Sequence, residues 1–481
     1  MIHTITVKLK QHTPLIHFQH DQEGATIRAS EVKPRLDRFI LSETGKEFYD
    51  KITDDEFEEV ALAYEHQHPG KAFDKSLGWA RQSLEVGKYV ARKEGWFNST
   101  SGHLSLNYKL SFLSSSRIDA ISLDVEQGRN NKYNTYYTDN NRHSDFPLLL
   151  SNMGGKEKVE DLCNLSFYRN VYATFLTPSL SLSKTLTTIL PLFFALNNFG
   201  QRKDKGFGSF TVLQINGQQI SSPSLAKHGV KYRLSFKQNY NATIPYFASI
   251  FHLIDFYWKC LKSGINYTRN GQYPQRYIKA YLWTYLNLNE HPKTWEKRRI
   301  KEHFNLRTGR EITENPNQPF FARALLGAPD KFEYRNFQPT RTIRITHNED
   351  PSSDYFIARI HAPLIFKPVI NDNSVTIYLI PDSTALDKLK EYTNLQFKFF
   401  EGENELLLDV DSSAITDVNK FISGFHSYIS KYARKAFRSD EEYNDYLRKY
   451  DLEEDSCRWF IPLDYNWRRI ISGPVFITQT K

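Results

Sequence analysis

From residue 199 the chain runs Phe199-Gly-Gln-Arg-Lys-Asp-Lys-Gly-Phe-Gly-Ser-Phe-Thr-Val212. Gly206 and Gly208 lack the Cβ atoms that hold a second backbone away, so peptide N–H groups there can approach a phosphate. Arg202, Lys203 and Lys205 bring positive charge to the same few residues, and Ser209 opens the strand that follows. Phe207 and Phe210 are rings that can stack on a base or pack inside. The chemistry is recognition of a single-stranded polyanion rather than of a nucleotide cofactor. A dinucleotide or Walker loop follows a strand and opens a helix; this loop follows a helix-like run, 183–198, and opens a strand at 209–213. The plain alternative is a tight helix-to-strand turn carrying solvated lysines.

Two other groups have side chains able to do chemistry. His17, His20 and Asp21, with Glu23 nearby, share one polar segment. A histidine there could take the proton of a ribose 2′-hydroxyl while Asp21 aligns an in-line attack. No nuclease pattern surrounds them, so no catalytic residue is expected. Glu401, Glu403, Asp409 and Asp411 could ligate a hard cation. They lack a helix–loop–helix frame, and a charged turn between strands is the favoured reading. No metal and no cofactor is expected.

The elements that must position these residues follow from hydrophobic period. Residues 2–10 alternate, with Ile5, Val7 and Leu9 on one side and Thr4, Thr6 and Lys8 on the other. Val32, Leu36, Phe39 and Ile40 form a helical stripe for which Ser30 is a plausible N-cap. Lys33, Arg35 and Arg38 lie within two turns of that helix. Lys33 and Arg35 do not share a face, so some of these charges serve packing or ion pairs. Residues 104–112 and 171–176 are strand candidates, and 183–198 is a helix that Pro191 should kink or shorten. The polar stretch 127–144 reads as a long loop or mobile finger. The order is strand, helix, two strands, helix, strand, the ferredoxin-like pattern, with the glycine loop just before its last strand.

After residues 216–224 a second half begins, with a strand at 231–236 and an aromatic helical run at 246–261 read as core. The basic run 293–301 is either a solvated helix face or a nucleic-acid or subunit contact. Further strands are predicted at 343–345, 356–360, 375–380 and 395–400, and an amphipathic helix over 415–437. His12-Thr-Pro-Leu-Ile16 is echoed by His361-Ala-Pro-Leu-Ile365, each with a basic residue two positions earlier, Lys10 and Arg359. The echo suggests a duplicated unit. The expected division is 1–215, carrying the glycine loop, and 225–481, a helical region with a second module.

Composition agrees with such an architecture. The 481 residues leave room for two or three domains, and 40% apolar with 25% charged residues is a globular composition. Aromatics at 14% favour β-rich packing with rings to spare for stacking. The net charge of +8 is a mild bias toward anionic partners. Three cysteines, far apart and without a C-x-x-C pair, argue against a disulfide framework or structural zinc and fit a reducing cytoplasm. The start lacks the apolar core of a secretion signal. No run approaches the roughly 18 apolar residues of a membrane span, so a cytoplasmic protein without membrane attachment is expected.

The peptide Ile27-Arg-Ala-Ser-Glu-Val-Lys-Pro-Arg-Leu-Asp-Arg38 resembles the helix start of the RAMP superfamily, which supplies guide-binding subunits of CRISPR type III effector complexes. The loop Gln201-Arg-Lys-Asp-Lys-Gly-Phe-Gly-Ser209 is similar to the superfamily's glycine-rich loop. Ala322-Arg-Ala-Leu-Leu-Gly-Ala-Pro329 and Ala358-Arg-Ile-His-Ala-Pro-Leu-Ile-Phe-Lys-Pro368 look like segments of the large head subunit of the Cmr (type III-B) complex. The chain departs from the pattern at Phe39-Ile40, where tandem tryptophans are usual, at Pro34 in place of glycine, and at Asp37, where an arginine is expected one step before Arg38. The resemblance implies an α+β protein of two RAMP-type ferredoxin-like (RRM-like) modules with helical insertions. Its partners would be CRISPR guide RNA (crRNA) and other RAMP subunits. Its role would be non-catalytic, with Lys33, Arg35, Arg38, Arg202, Lys203, Lys205, Gly206, Phe207, Gly208 and Ser209 as RNA-binding residues. The competing expectation is a metal-independent endoribonuclease that processes CRISPR transcripts through His17 or His20.

Overall fold

The computed structural model describes residues 1–16, 26–70, 72–73, 79–97, 105–117, 121–127, 133–139, 142–147, 164–241, 243–267, 276–288, 296–306, 320–327, 331–334, 341–347, 361–382, 396–411, 417–437, 439–453, 458–462 and 473–480, with a few single positions between them. The chain is α+β with antiparallel sheets, and it divides into two units. The first comprises Met1–Ile121, Asn164–Lys203 and Phe207–Leu225; the second comprises Ser122–Cys163, Asp204–Gly206 and Ala226–Lys481.

In the first unit the alternation of residues 2–10 becomes β1 (His3–Gln11), with Ile5, Val7 and Leu9 buried and Thr4 and Thr6 exposed. α1 (Ala29–Phe48) lays Val32, Leu36 and Ile40 on the core. Its N-cap is Arg28 in extended conformation, without a side-chain cap, so Ser30 lies inside the helix rather than ahead of it. α2 (Asp54–Gln67) opens on a capping box in which Thr53 and Glu56 satisfy each other's backbone N–H groups. α3 (Trp79–Lys93) crosses α1 backbone to backbone. A Cβ on Gly45 would stand 1.6 Å from the Ser83 carbonyl oxygen, and one on Gly87 1.8 Å from that of Leu41.

Three further strands complete the sheet with β1: β2 (Lys109–Arg117), β3 (Tyr168–Thr177) and, after α4 (Leu180–Leu196), β4 (Phe210–Ile215). The short β5 (Gln218–Gln219) extends its edge, giving the order β5-β4-β1-β3-β2 with antiparallel pairs throughout. α4 continues past Pro191 to Leu196, because Leu182, Leu186, Leu190, Phe193 and Phe194 are buried on both sides of the proline. Tertiary packing outweighs the one lost hydrogen bond.

The second unit holds β6 (Tyr232–Lys237), α5 (Ile244–Lys262), α6 (Tyr281–Leu288), α7 (Glu296–His303), β7 (Lys331–Tyr334), β8 (Arg341–His347), β9 (Leu364–Asn371), β10 (Ser374–Pro381), β11 (Gln396–Glu401), β12 (Asn404–Asp409), α8 (Val418–Ser430), α9 (Asp440–Tyr450), β13 (Trp459–Phe460) and β14 (Val475–Gln479). One sheet has the order β9-β10-β6-β14-β13 and another β7-β8-β11-β12. The aromatic helix α5 is core, with Phe247, Phe251 and Tyr257 fully buried. The Tyr257 hydroxyl lies 2.8 Å from His426 Nε2 on α8.

Two further expectations are corrected. The stretch 127–144 is not a featureless finger: Asp124–Gln127, Tyr133–Asp139 and Arg142–Asp145 form a three-stranded antiparallel sheet. Its polar composition hides the fact that Tyr137 and Phe146 turn inward, Phe146 to 5.7 Å from the Phe251 ring. The peptide echo is also not at equivalent places. His12 to Ile16 follows β1, the first strand of its sheet, whereas Leu364 and Ile365 open β9, the second principal strand of the other. What repeats is strand order. In each sheet the last, first, third and second principal strands lie side by side, β4-β1-β3-β2 and β14-β6-β10-β9. The strand expected at 356–360 lies outside the described residues.

Candidate nucleic-acid interface

Folding brings the start of α1 onto the entry to the glycine loop. Glu31 accepts the Gly200 N–H at 3.0 Å, and Arg35 donates to the Asn198 carbonyl at 2.9 Å and to Asn197 Oδ1 at 2.7 Å. The Arg35 guanidinium also lies 4.9 Å from the Phe199 ring centroid. Asn198 Nδ2 in turn donates to the Lys203 carbonyl, closing the loop on itself. Glu31, Asn197 and Asn198 were not singled out from the sequence. The Glu31–Arg35 spacing of four on a helix was the available signal.

Lys33 belongs to a different set. Its ammonium is 3.0 Å from Asp37 Oδ2, 2.8 Å from the Leu106 carbonyl and 3.7 Å from the Tyr108 ring centroid. Burial lowers the Lys33 pKa against the opposing pull of Asp37, and burial raises that of Asp37 against the pull of Lys33. Asp37 is therefore the ion-pair partner that offsets part of the cost of burying Lys33. Arg38 is exposed.

The loop itself corrects the reading of its glycines. Gly206 and Gly208 do have positive φ, +92° and +61°. The space left by their missing Cβ atoms is filled by protein. A Cβ on Gly208 would lie 2.0 Å from the Phe199 carbonyl oxygen, and one on Gly206 would lie 2.7 Å from Ile254 Cδ1 and 3.0 Å from Pro368 Cγ. The Gly208 N–H donates to the Pro14 carbonyl, and the Ser209 N–H donates to Thr13 Oγ1. Phe207 and Ser209 are fully buried, so in this conformation Phe207 packs inside rather than presenting a face for a base. Arg202, held at φ +57°, and Lys203 are partly exposed.

Lys205 sits inside the second unit, its ammonium 3.2 Å from the Trp258 ring centroid. Lys262 shares that ring at 5.7 Å and donates to the carbonyls of Leu326 and Gly327. Arg323 pairs there with the fully buried Glu296 of α7. Burial, then the positive charges of Lys205 and Arg323, push the Lys262 ammonium down to about 7. The segment beginning Ala322-Arg-Ala-Leu-Leu is thus the floor of a compact cationic cluster.

The remaining candidates resolve simply. Glu401 is taken by Arg341 and Asp409 by Gln396 Nε2 at 2.7 Å, at the two ends of the β11–β12 hairpin. Among the described residues no group of three His, Cys, Asp or Glu is placed to hold a metal ion. Among them too, no helix is long and apolar enough to cross a membrane. On α7, Arg299 is exposed while Ile300 is buried. His17, His20, Asp21 and Glu23 lie outside the described residues.

No curated protein matches the sequence. Among solved structures, a chain of a type III-B Cmr-beta complex bound to cognate target RNA matches with 10% identity over 78% of this chain and 94% of that one, at a TM-score of 0.29. Cmr1 from Pyrococcus furiosus in its apo form matches with 10% identity over 78% of this chain and 88% of that one, at a TM-score of 0.25. The assignment rests on the family models instead. The Cmr1 N-terminal domain covers residues 2–265, more than half of the chain, and the Cmr1 C-terminal domain covers residues 277–449. The chain belongs to the Cmr1 family and is a Cmr1-like RAMP subunit.

Proposed function

We propose that this chain is a guide-RNA-binding, non-catalytic structural subunit of a type III-B CRISPR effector complex, associating with other RAMP subunits. The observation that carries the reading is the meeting of α1 with the basic loop. Two segments 163 residues apart are tied together through Arg35, with Arg38, Arg202 and Lys203 at the solvent surface beside them. The shared strand order of the two principal sheets supports two ferredoxin-like modules, the architecture that the family resemblance implies. Such a framework recognises RNA through its phosphates and leaves sequence to base pairing.

The test is binding of a repeat-containing guide RNA to the full chain, followed by incubation of the complex with and without magnesium. Binding without cleavage is expected, weakened in an Arg202→Ala, Lys203→Ala variant. Absence of guide binding by the wild type overturns the reading. Cleavage by the wild type that disappears in a His17→Ala, His20→Ala, Asp21→Ala variant replaces it with the ribonuclease alternative.

A further inference from the structure

The principal sheet of the first unit has one face against the core and one face in solvent. Ile5, Val7, Leu9, Val171, Ala173 and Phe175 fill the core side. The opposite side carries Tyr172 at 38% exposure, Leu176 at 37% and Leu113 at 70%. Register aligns these residues in rows across the sheet. Gln214, Lys8, Tyr172 and Leu113 stand opposite one another on four neighbouring strands. The next rows are Thr6, Thr174 and Ser111, then Thr4, Leu176 and Lys109. Directly opposed side chains on antiparallel strands are within roughly 5 Å at Cβ. A lysine, an exposed ring and an aliphatic side chain therefore form one continuous strip, flanked by hydroxyls.

The charge on this sheet is one-sided. Its five strands contain Lys8, Lys10, Lys109, Arg117 and Arg169 and not one aspartate or glutamate. The second unit repeats the row at the same topological place, as Thr478, Arg233, Tyr378 and Lys367. There the end of the row is shut, because Lys367 is fully buried. The open version is in the first unit.

We propose that the solvent face of this sheet binds single-stranded nucleic acid, with one unstacked base on Tyr172 and a backbone phosphate at Lys8. Charge complementarity selects the occupant: a polyanion meets three lysines and no carboxylate on the strands. The exposed ring supplies a sequence-tolerant stacking platform. The hydroxyls of Thr6, Thr174 and Ser111 are placed for ribose or phosphate oxygens. This deepens the RNA-binding reading above and rests on it, but it uses none of the residues assigned there.

The experiment measures fluorescence anisotropy of a labelled oligouridylate of about 12 nucleotides, a length within single-strand site sizes, against the full-length wild type and three variants. Tyr172→Ala should weaken binding roughly tenfold, the loss of one stacked base. Tyr172→Phe should bind as the wild type does. Lys8→Gln should make the slope of log affinity against log salt shallower by about 0.7. Tyr172 is a surface residue, and unfolding curves for each variant verify that the fold is retained. Unchanged affinity in Tyr172→Ala, with the wild type binding RNA, overturns this site and leaves the general RNA-binding reading standing. A wild type that binds no single-stranded RNA overturns both. Loss of association with other complex subunits in Tyr172→Ala, at unchanged RNA affinity, makes the face a protein-docking surface and overturns the proposal.

Discussion

Arg35 on α1 donates to the side chain of Asn197, at the far end of α4, at 2.7 Å. Together with the Arg35–Asn198 and Glu31–Gly200 hydrogen bonds, this pair joins the first helix of the unit to the loop that leads into its last core strand. A charged donor making two hydrogen bonds in a half-buried setting contributes about 1.5–3 kcal/mol. Arg35→Ala should lower unfolding free energy by that order in urea titrations. Arg35→Lys should recover only part, since one ammonium cannot span both acceptors. An unchanged midpoint in Arg35→Ala would show that the pair does not brace the loop.

Gly208 and Gly217 both have positive φ, +61° and +79°, but only Gly208 faces protein. Nothing lies within 4 Å of a Cβ at Gly217. Gly217→Ala should therefore cost only backbone strain, about 1 kcal/mol, and Gly208→Ala about 2 kcal/mol or more. Thermal unfolding of the two variants side by side checks the ordering. Equal losses would mean that the Phe199 carbonyl moves aside without cost.

His426 is buried, and burial pushes its pKa down to about 3 from the ordinary 6.5. The unfolded chain then takes up this proton before the folded one does. Stability from His426 is complete above about pH 6.5 and is lost as pH falls toward 3, at up to about 1.4 kcal/mol per unit in that window. Calorimetry of the wild type and His426→Gln between pH 7 and pH 4 isolates the effect. The wild type's advantage should shrink steadily on acidification, and parallel curves would contradict a neutral buried imidazole.

Arg202 and Lys203 are the loop cations that reach solvent. If they meet guide-RNA phosphates, each substitution by alanine should reduce the salt slope by about 0.7 and weaken all RNA sequences alike. Lys205→Ala should behave differently, because its ammonium lies over Trp258 inside the protein. Its main expected effect is on stability. A sequence-selective loss in Lys203→Ala with an unaltered slope would argue against backbone recognition.

Local period settled what it can settle. The alternation of Thr4, Ile5, Thr6, Val7 and Leu9 made β1 a half-buried strand, and the stripe of Val32, Leu36 and Ile40 made α1 amphipathic. The run of aromatics in α5 was core for the same reason. The segments that carry the family likeness were legible as peptides, and so was the glycine loop as a helix-to-strand connection. Each of these depends on near neighbours in the chain, and periodicity reports near neighbours.

Tertiary structure decided the rest, because the outcome depended on which distant group arrived. A glycine in a basic loop suits a phosphate or a carbonyl equally; the Phe199 carbonyl and Ile254 occupy the space at Gly208 and Gly206. Lys33 could have been a phosphate ligand until Asp37 and the Leu106 carbonyl closed around it. Gly45 and Gly87 carry no helical signal of their own, and only the crossing of α1 with α3 shows why neither position can hold a side chain. The row of Lys8, Tyr172 and Leu113 exists only through strand register, which pairs Tyr172 with Lys8 from the start of the chain and with Leu113 from a separate strand. Composition names the side chains available, and the fold chooses which of them still face solvent.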